Sequence, residues 1–163
     1  MTKKTKYDAK DSFMLRAIEL ARRGMNAGDG GPFGCVIVRD GSIVGEGWNR
    51  VVGTNDPTAH GEVVAIRDAC SKLKSFSLAG CELYTNGEPC PMCFSAIYWA
   101  RIERIYYGFS DHDASAAGFD DRFIYEELVK AVDQRRIPQV QILRDESLQV
   151  LKEYAADPNR VRY

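Results

Sequence analysis

The chain is short of histidine: His60 and His112 are the only two, so an imidazole site must be built on one of them. It has no run approaching about 20 apolar residues, so no segment reads as a membrane-spanning helix. The N-terminal MTKKTKYDAKD carries charge without the apolar core of a secretory signal, and reads as a short lead-in to a cytoplasmic protein. Internal repeats, low-complexity stretches and linkers are missing, and a single domain over residues 1–163 is the simplest partition. An excess of basic charge is missing too. The net charge of −1 speaks against a nucleic-acid partner, because such binding rests on Lys and Arg neutralising phosphates. With five cysteines, an odd number, and no secretory signal, there is no disulfide framework to expect.

What is present is the balance of a globular protein: 45% apolar and 28% charged residues in a chain of 163, long enough to form a core without covalent staples. Helical spacing of Phe13, Ala17, Leu20 and Gly24, and of Met14, Ile18, Ala21 and Met25, predicts a helix over 8–27. Glycines and a proline in NAGDGGPFG end it. FGCVIVR (33–39) and SIVGEGW (42–48) read as strands joined through Asp40-Gly41, a hairpin signal. A polar loop follows. A helix from about Pro57 to 73, with Asp56 as its N-cap, is expected next, then a strand at 81–86 and a helix from Pro89 and Pro91 to about 100. A strand at 102–108, a helix at 121–135, a fifth strand at 140–144 and a helix at 145–156 complete the series. Alternating strands and helices after an opening hairpin imply a three-layer α-β-α sandwich around a five-stranded mixed sheet.

Two segments carry chemistry. His60-Gly61-Glu62 lies early in one helix, and Pro89-Cys90-Pro91-Met92-Cys93 opens the next. Zinc prefers imidazole nitrogen and thiolate sulfur. Cysteines three apart at a helix start face one point, and the helix N-terminus favours thiolate over thiol. His60 adds a third ligand, leaving one tetrahedral position open as catalytic zinc requires. Glu62 stands about 200° around the helix from His60, so it is not a co-ligand; at an irregular first turn it can still reach over a zinc-bound water, and its expected work is to take a proton from that water and pass protons to the ring nitrogen and the leaving amine. Cys35, Cys70 and Cys81 sit in apolar stretches as small buried hydrophobes. H-x-E followed by P-C-x-x-C is the signature of zinc deaminases acting on nucleobases. A redox CxxC pair or a structural four-ligand zinc site fits less well, since no second CxxC accompanies the first. GDGGPFG lacks the GxxxxGK[ST] pattern and precedes a strand, so it reads as a turn.

On these segments the chain resembles the cytidine/deoxycytidylate deaminase superfamily, and within it the small bacterial guanine deaminases. The matching stretches are NAGDGGPFGCVIV (26–38), NDPTAHGEVVAIRDAC (55–70), EPCPMCFSAIYWAR (88–101) and AGFDDRFIYEE (117–127). AGFDD and the terminal tyrosine point toward guanine within the superfamily. The resemblance implies a cytidine deaminase-like fold and a Zn²⁺ cofactor. It also implies that Asn49 bonds the purine ring, Phe119 stacks on it, Asp121 is a second proton-shuttling carboxylate and Tyr163 closes the pocket. A tail at 157–163 exchanged between subunits of a homodimer is implied as well. The chain departs from the family pattern at Gly61, where alanine is usual, and at Asn86-Gly87, where Ser-Cys is usual. The last two are expected at the rim of the base pocket. Tyr98, Trp99, Tyr106 and Tyr107 read as core and subunit contact.

The reaction so implied is guanine + water → xanthine + ammonia. Its rivals are the same chemistry on guanosine, isocytosine, a triazine or a pterin, deamination of adenosine in tRNA, and a zinc-stabilised binding module without catalysis.

Overall fold

The computed structural model describes residues 9–163; the N-terminal lead-in through residue 8 lies outside them. The chain divides into two compact units, one ending at Asp121 and the other running Arg122–Tyr163. The first unit holds α1 (Ala9–Ala27), β1 (Gly34–Arg39), β2 (Ser42–Trp48), α2 (Val51–Thr54), α3 (Gly61–Leu73), β3 (Cys81–Gly87), α4 (Pro91–Trp99), β4 (Arg104–Phe109) and α5 (Asp111–Ala116). Its sheet has four strands in the order β2-β1-β3-β4. β1 is antiparallel to both β2 and β3, and β3 and β4 run parallel, joined by α4 as the crossover such a pair needs. The predicted hairpin is present: Arg39 pairs with Ser42. Asp40 and Gly41 both adopt left-handed backbone, with φ of 50° and 74°, as a primed turn requires.

Alternation along the strands sorts two cores. Cys35 and Ile37 of β1 and Cys81 and Leu83 of β3 face Ala65 and Ala69 of α3 and Ile97 of α4. Val36, Val38 and Tyr84 face Leu20 of α1 on the other side. The result is the expected three layers, with α1 on one face and α3 and α4 on the other. Cys35 and Cys81 are fully buried and Cys70 half-buried, all as free thiols. Of the four aromatics read as core and subunit contact, Tyr106 stacks on Tyr84 at 4.5 Å, while Tyr98, Trp99 and Tyr107 are exposed at 68%, 69% and 52%.

The second unit corrects the sheet. It contains α6 (Arg122–Val129), a 3₁₀ turn at Val132–Gln134 and α7 (Arg144–Ala156). The expected fifth strand at 140–144 is not a strand. Its alternating Val140 and Ile142 satisfy the pattern, but a strand exists only where a neighbour supplies a ladder, and none pairs here. Leu143, at φ 47°, breaks the extended run and hands over to α7. The sequence reading also passed over α2 and α5. The second carries a legible signal: Ser110 and Asp113 form a reciprocal capping box.

No helix among the described residues is long and apolar enough to cross a membrane.

Candidate metal centre and active site

The segment before α3 does not start the helix at Pro57. Asp56 accepts from both the N–H and the hydroxyl of Thr58 through one carboxylate oxygen, a local turn that competes with helix. The helix begins four residues later, and His60 is its N-cap, with extended backbone at φ −69° and ψ 155°. His60 therefore stands outside the helical screw, and the 200° argument that separated it from Glu62 does not govern the pair. Glu62 is the second helical residue and is 4% exposed. At the next helix start Cys90 is likewise an extended N-cap, with Pro91 in the first helical position and Cys93 two further on.

These helix starts meet. One donor atom each of His60, Cys90 and Cys93 lies within 4.8 Å of the others, and Cys90 Sγ is 3.5 Å from His60 Nδ1. A tetrahedral ion with ordinary zinc–nitrogen and zinc–sulfur lengths separates its N and S ligands by about 3.6 Å. The donor set and its spacing thus fit zinc, and the three residues are those named from the motif. Glu62 is not a member of the cluster but lies in its field. Burial pushes its carboxyl pKa up, while Cys93 and His60 oppose the rise. Thr85 Oγ1, fully buried on β3, donates to Glu62 Oε1 at 3.3 Å. Cys90 is drawn down to about 4, first by the hydrogen bond it takes from Cys93 and then by His60. Cys93 is driven up by the same bond and by burial, and His60 is raised chiefly by Cys90.

The remaining named residues are placed as follows. Asp121 is half-buried; desolvation raises its carboxyl pKa, followed by the negative Cys90, and Asp121 in turn raises His60. Asn49 is 6% exposed. Its Oδ1 accepts from Val51 N at 3.2 Å and Gly31 N at 3.3 Å, so its oxygen is spent on an Asx turn and on the glycine turn. Phe119 is 44% exposed and meets the edge of Phe33 at 4.9 Å. Tyr163 ends the second unit and is 73% exposed.

The sequence reading missed Thr85, whose only mark is a polar residue at a buried strand position, and did not foresee the bonds made by Asn86. Asn86 is tied down: its Oδ1 accepts from Gly34 N at 2.8 Å and its Nδ2 donates to Pro32 O at 2.9 Å. Gly61 lacks the usual methyl, and a Cβ there would stand 3.2 Å from Phe33 O.

A three-layer α/β unit whose two helix starts present one imidazole and two thiols beside a buried carboxylate defines a class of zinc hydrolase. The chain belongs to the family described as the cytidine and deoxycytidylate deaminase zinc-binding region, which matches residues 8–109. Within that family it is 50% identical to a guanine deaminase of Bacillus subtilis (strain 168), over 94% of this chain and 98% of that one. The X-ray structure of the Bacillus subtilis guanine deaminase superposes with a TM-score of 0.90 over the same shares. A guanine deaminase from Nitrosomonas europaea is 31% identical with a TM-score of 0.64, covering 90% of this chain and 85% of that one. The chain is also 38% identical to a tRNA-specific adenosine deaminase of Haemophilus influenzae, over 72% of this chain and 71% of that protein.

Proposed function

We propose that this protein deaminates guanine hydrolytically, guanine + water → xanthine + ammonia, with His60, Cys90 and Cys93 holding zinc. The observation that carries the reading is the His60–Cys90–Cys93 cluster with buried Glu62 beside it. The extent of likeness to a guanine deaminase, nearly end to end, selects the substrate. Zinc, when bound, supplies the Lewis acid that makes water nucleophilic near neutral pH.

The chain's own residues do the rest. Glu62 takes a proton from the attacking water and gives it to the ring nitrogen. Burial supports this assignment, because a carboxyl held above its usual range takes up a proton more readily and is brought nearer the operating pH, where one group can both accept and return it. Thr85 fixes its oxygen by hydrogen bond. Asp121, raised as well, takes the remaining hydroxyl proton of the adduct as the carbonyl forms and delivers it to the departing amine, so that the C–N bond breaks to neutral ammonia and two carboxylates divide two transfers. Asn49 bonds the purine edge from the end of β2, and Phe119 stacks on the base. Tyr163 closes the pocket from a tail exchanged within a cytoplasmic homodimer. Support for an exchanged tail is the exposure of its own large apolar residues, Val161 at 63% and Tyr163 at 73%. The exposed Tyr98 and Trp99 on α4 are suited to a subunit contact.

The test is ammonia release by zinc-loaded protein from guanine, guanosine, cytosine, isocytosine and adenosine, with Glu62→Ala as the blank. Release from guanine that vanishes in the variant upholds the reading. Release from another ring with guanine inert overturns the substrate and keeps the chemistry. Asp121→Ala is expected to keep zinc and lose most turnover; unchanged turnover removes Asp121 from the mechanism.

A further inference from the structure

The departures at Asn86-Gly87 have a structural consequence. Phe33 lies between the glycine turn and β1, and Asn86 reaches it from the adjoining β3. One face of the Asn86 carboxamide takes the N–H of Gly34 and the other gives an N–H to the carbonyl of Pro32. The two peptide groups that flank Phe33 are thus held by one side chain, and only one orientation of the amide satisfies both. Phe33 in turn contacts the parts of the site assigned to the base. Its carbonyl accepts from Asn49 N at 2.8 Å. Its ring meets Phe119 edge-on at 4.9 Å and Phe109 at 5.8 Å. The next residue, Gly87, gives these rings room: a Cβ there would fall 2.6 Å from the Phe109 ring and 3.2 Å from that of Phe33.

We infer that Asn86 is a positioning residue for substrate recognition, acting through Phe33 on Asn49 and Phe119. It does not touch the reacting atoms. It holds Phe33, and Phe33 holds the two groups that meet the base. The identity of the base rests on the guanine reading; the coupling of Asn86 to Phe33 and Phe119 does not. Pre-organised contacts of this kind act on binding more than on the chemical step.

The experiment compares Asn86→Ala, Asn86→Asp and Asn86→Ser with wild type, and with Leu78→Ala as a core-destabilised control in the α3–α4 layer. In Asn86→Ala, KM for guanine rises about tenfold while kcat stays within about twofold and zinc content is unchanged. Asn86→Asp keeps the acceptor for Gly34 but sets an anion against the Pro32 carbonyl, so it gives no rescue. Asn86→Ser keeps one bond, gives an intermediate KM, and serves if Asn86→Ala does not fold. Leu78→Ala lowers Tm without moving KM. Aromatic NMR resonances of Phe33 and Phe119 shift in Asn86→Ala and stay fixed in Leu78→Ala. An unchanged KM and unshifted resonances, or an equal rise in KM in the control, overturns the inference. If wild-type, zinc-loaded protein leaves guanine intact, the guanine reading fails, and the Phe33 and Phe119 resonances alone decide the role of Asn86.

Discussion

Four side chains near the metal cluster differ in what their loss should do. Removing His60, Cys90 or Cys93 deletes a ligand from a three-residue set, so His60→Ala, Cys90→Ala and Cys93→Ala are each expected to lose zinc and activity together. Glu62 lies outside the set. Glu62→Gln keeps the shape and the Thr85 hydrogen bond but cannot accept a proton, so zinc content holds while kcat falls roughly 10² to 10⁴-fold. Zinc analysis beside ammonia release separates the two behaviours, and loss of zinc in Glu62→Gln would make Glu62 a structural residue. Away from the site, Arg16 Nε donates to Glu46 Oε1 at 2.7 Å and holds the Glu46 carboxyl below its model-compound range. The folded state therefore favours ionised Glu46. The stabilisation is present above the unfolded pKa of 4.5 and disappears as pH falls through the lower folded value. Both side chains are about a third exposed, so the pair contributes less than about 1 kcal/mol. Glu46→Gln should remove that much at neutral pH, and the difference from wild type should shrink in urea titrations as pH is lowered below 4.5.

At the scale of elements, the placement of His60 and Glu62 depends on how closely α3 lies on β2. Gly47 makes that approach possible: a Cβ there would stand 2.3 Å from Gly61 O and 2.4 Å from Ala65 N. Both are backbone atoms of the helix that carries Glu62, so a methyl must lift the helix off the sheet. Gly47→Ala is expected to cost about 1 to 3 kcal/mol and to weaken zinc binding, although residue 47 touches no ligand. Reduced Tm with full zinc affinity would show that α3 shifts without carrying His60 along. The elements legible in the sequence were those with local signals. Periodicity marked α1, and Asp40-Gly41 marked the β1–β2 hairpin. The start of α3 was misplaced because Asp56 prefers a turn to Thr58 over capping a helix at Pro57. The supposed strand at 140–144 failed for the opposite reason: its alternation is local, while a ladder is not.

For the whole molecule, net charge bears on what it meets. A chain with a net charge of −1 has little general attraction for a polyphosphate backbone, and a neutral base makes no ion contacts to screen. Turnover of guanine should hold within about twofold between 50 and 200 mM salt. A steep fall would favour an RNA substrate. The sequence by itself determined the His60–Cys90–Cys93 group that could hold a metal, the carboxylate beside it and the layer order, because these rest on residue type, short spacing and periodicity, which act along the chain. Only the tertiary structure decided the strand number, the seat of His60 outside its helix, the pairing of Thr85 with Glu62 and the hold of Asn86 on Phe33. Apart from the seat of His60, which the short Asp56–Thr58 turn sets, each of these joins residues far apart in the chain or depends on a neighbour's surface. Thr85 and Glu62 are separated by 23 positions and Asn86 and Pro32 by 54, and no local pattern along the chain carries such distances.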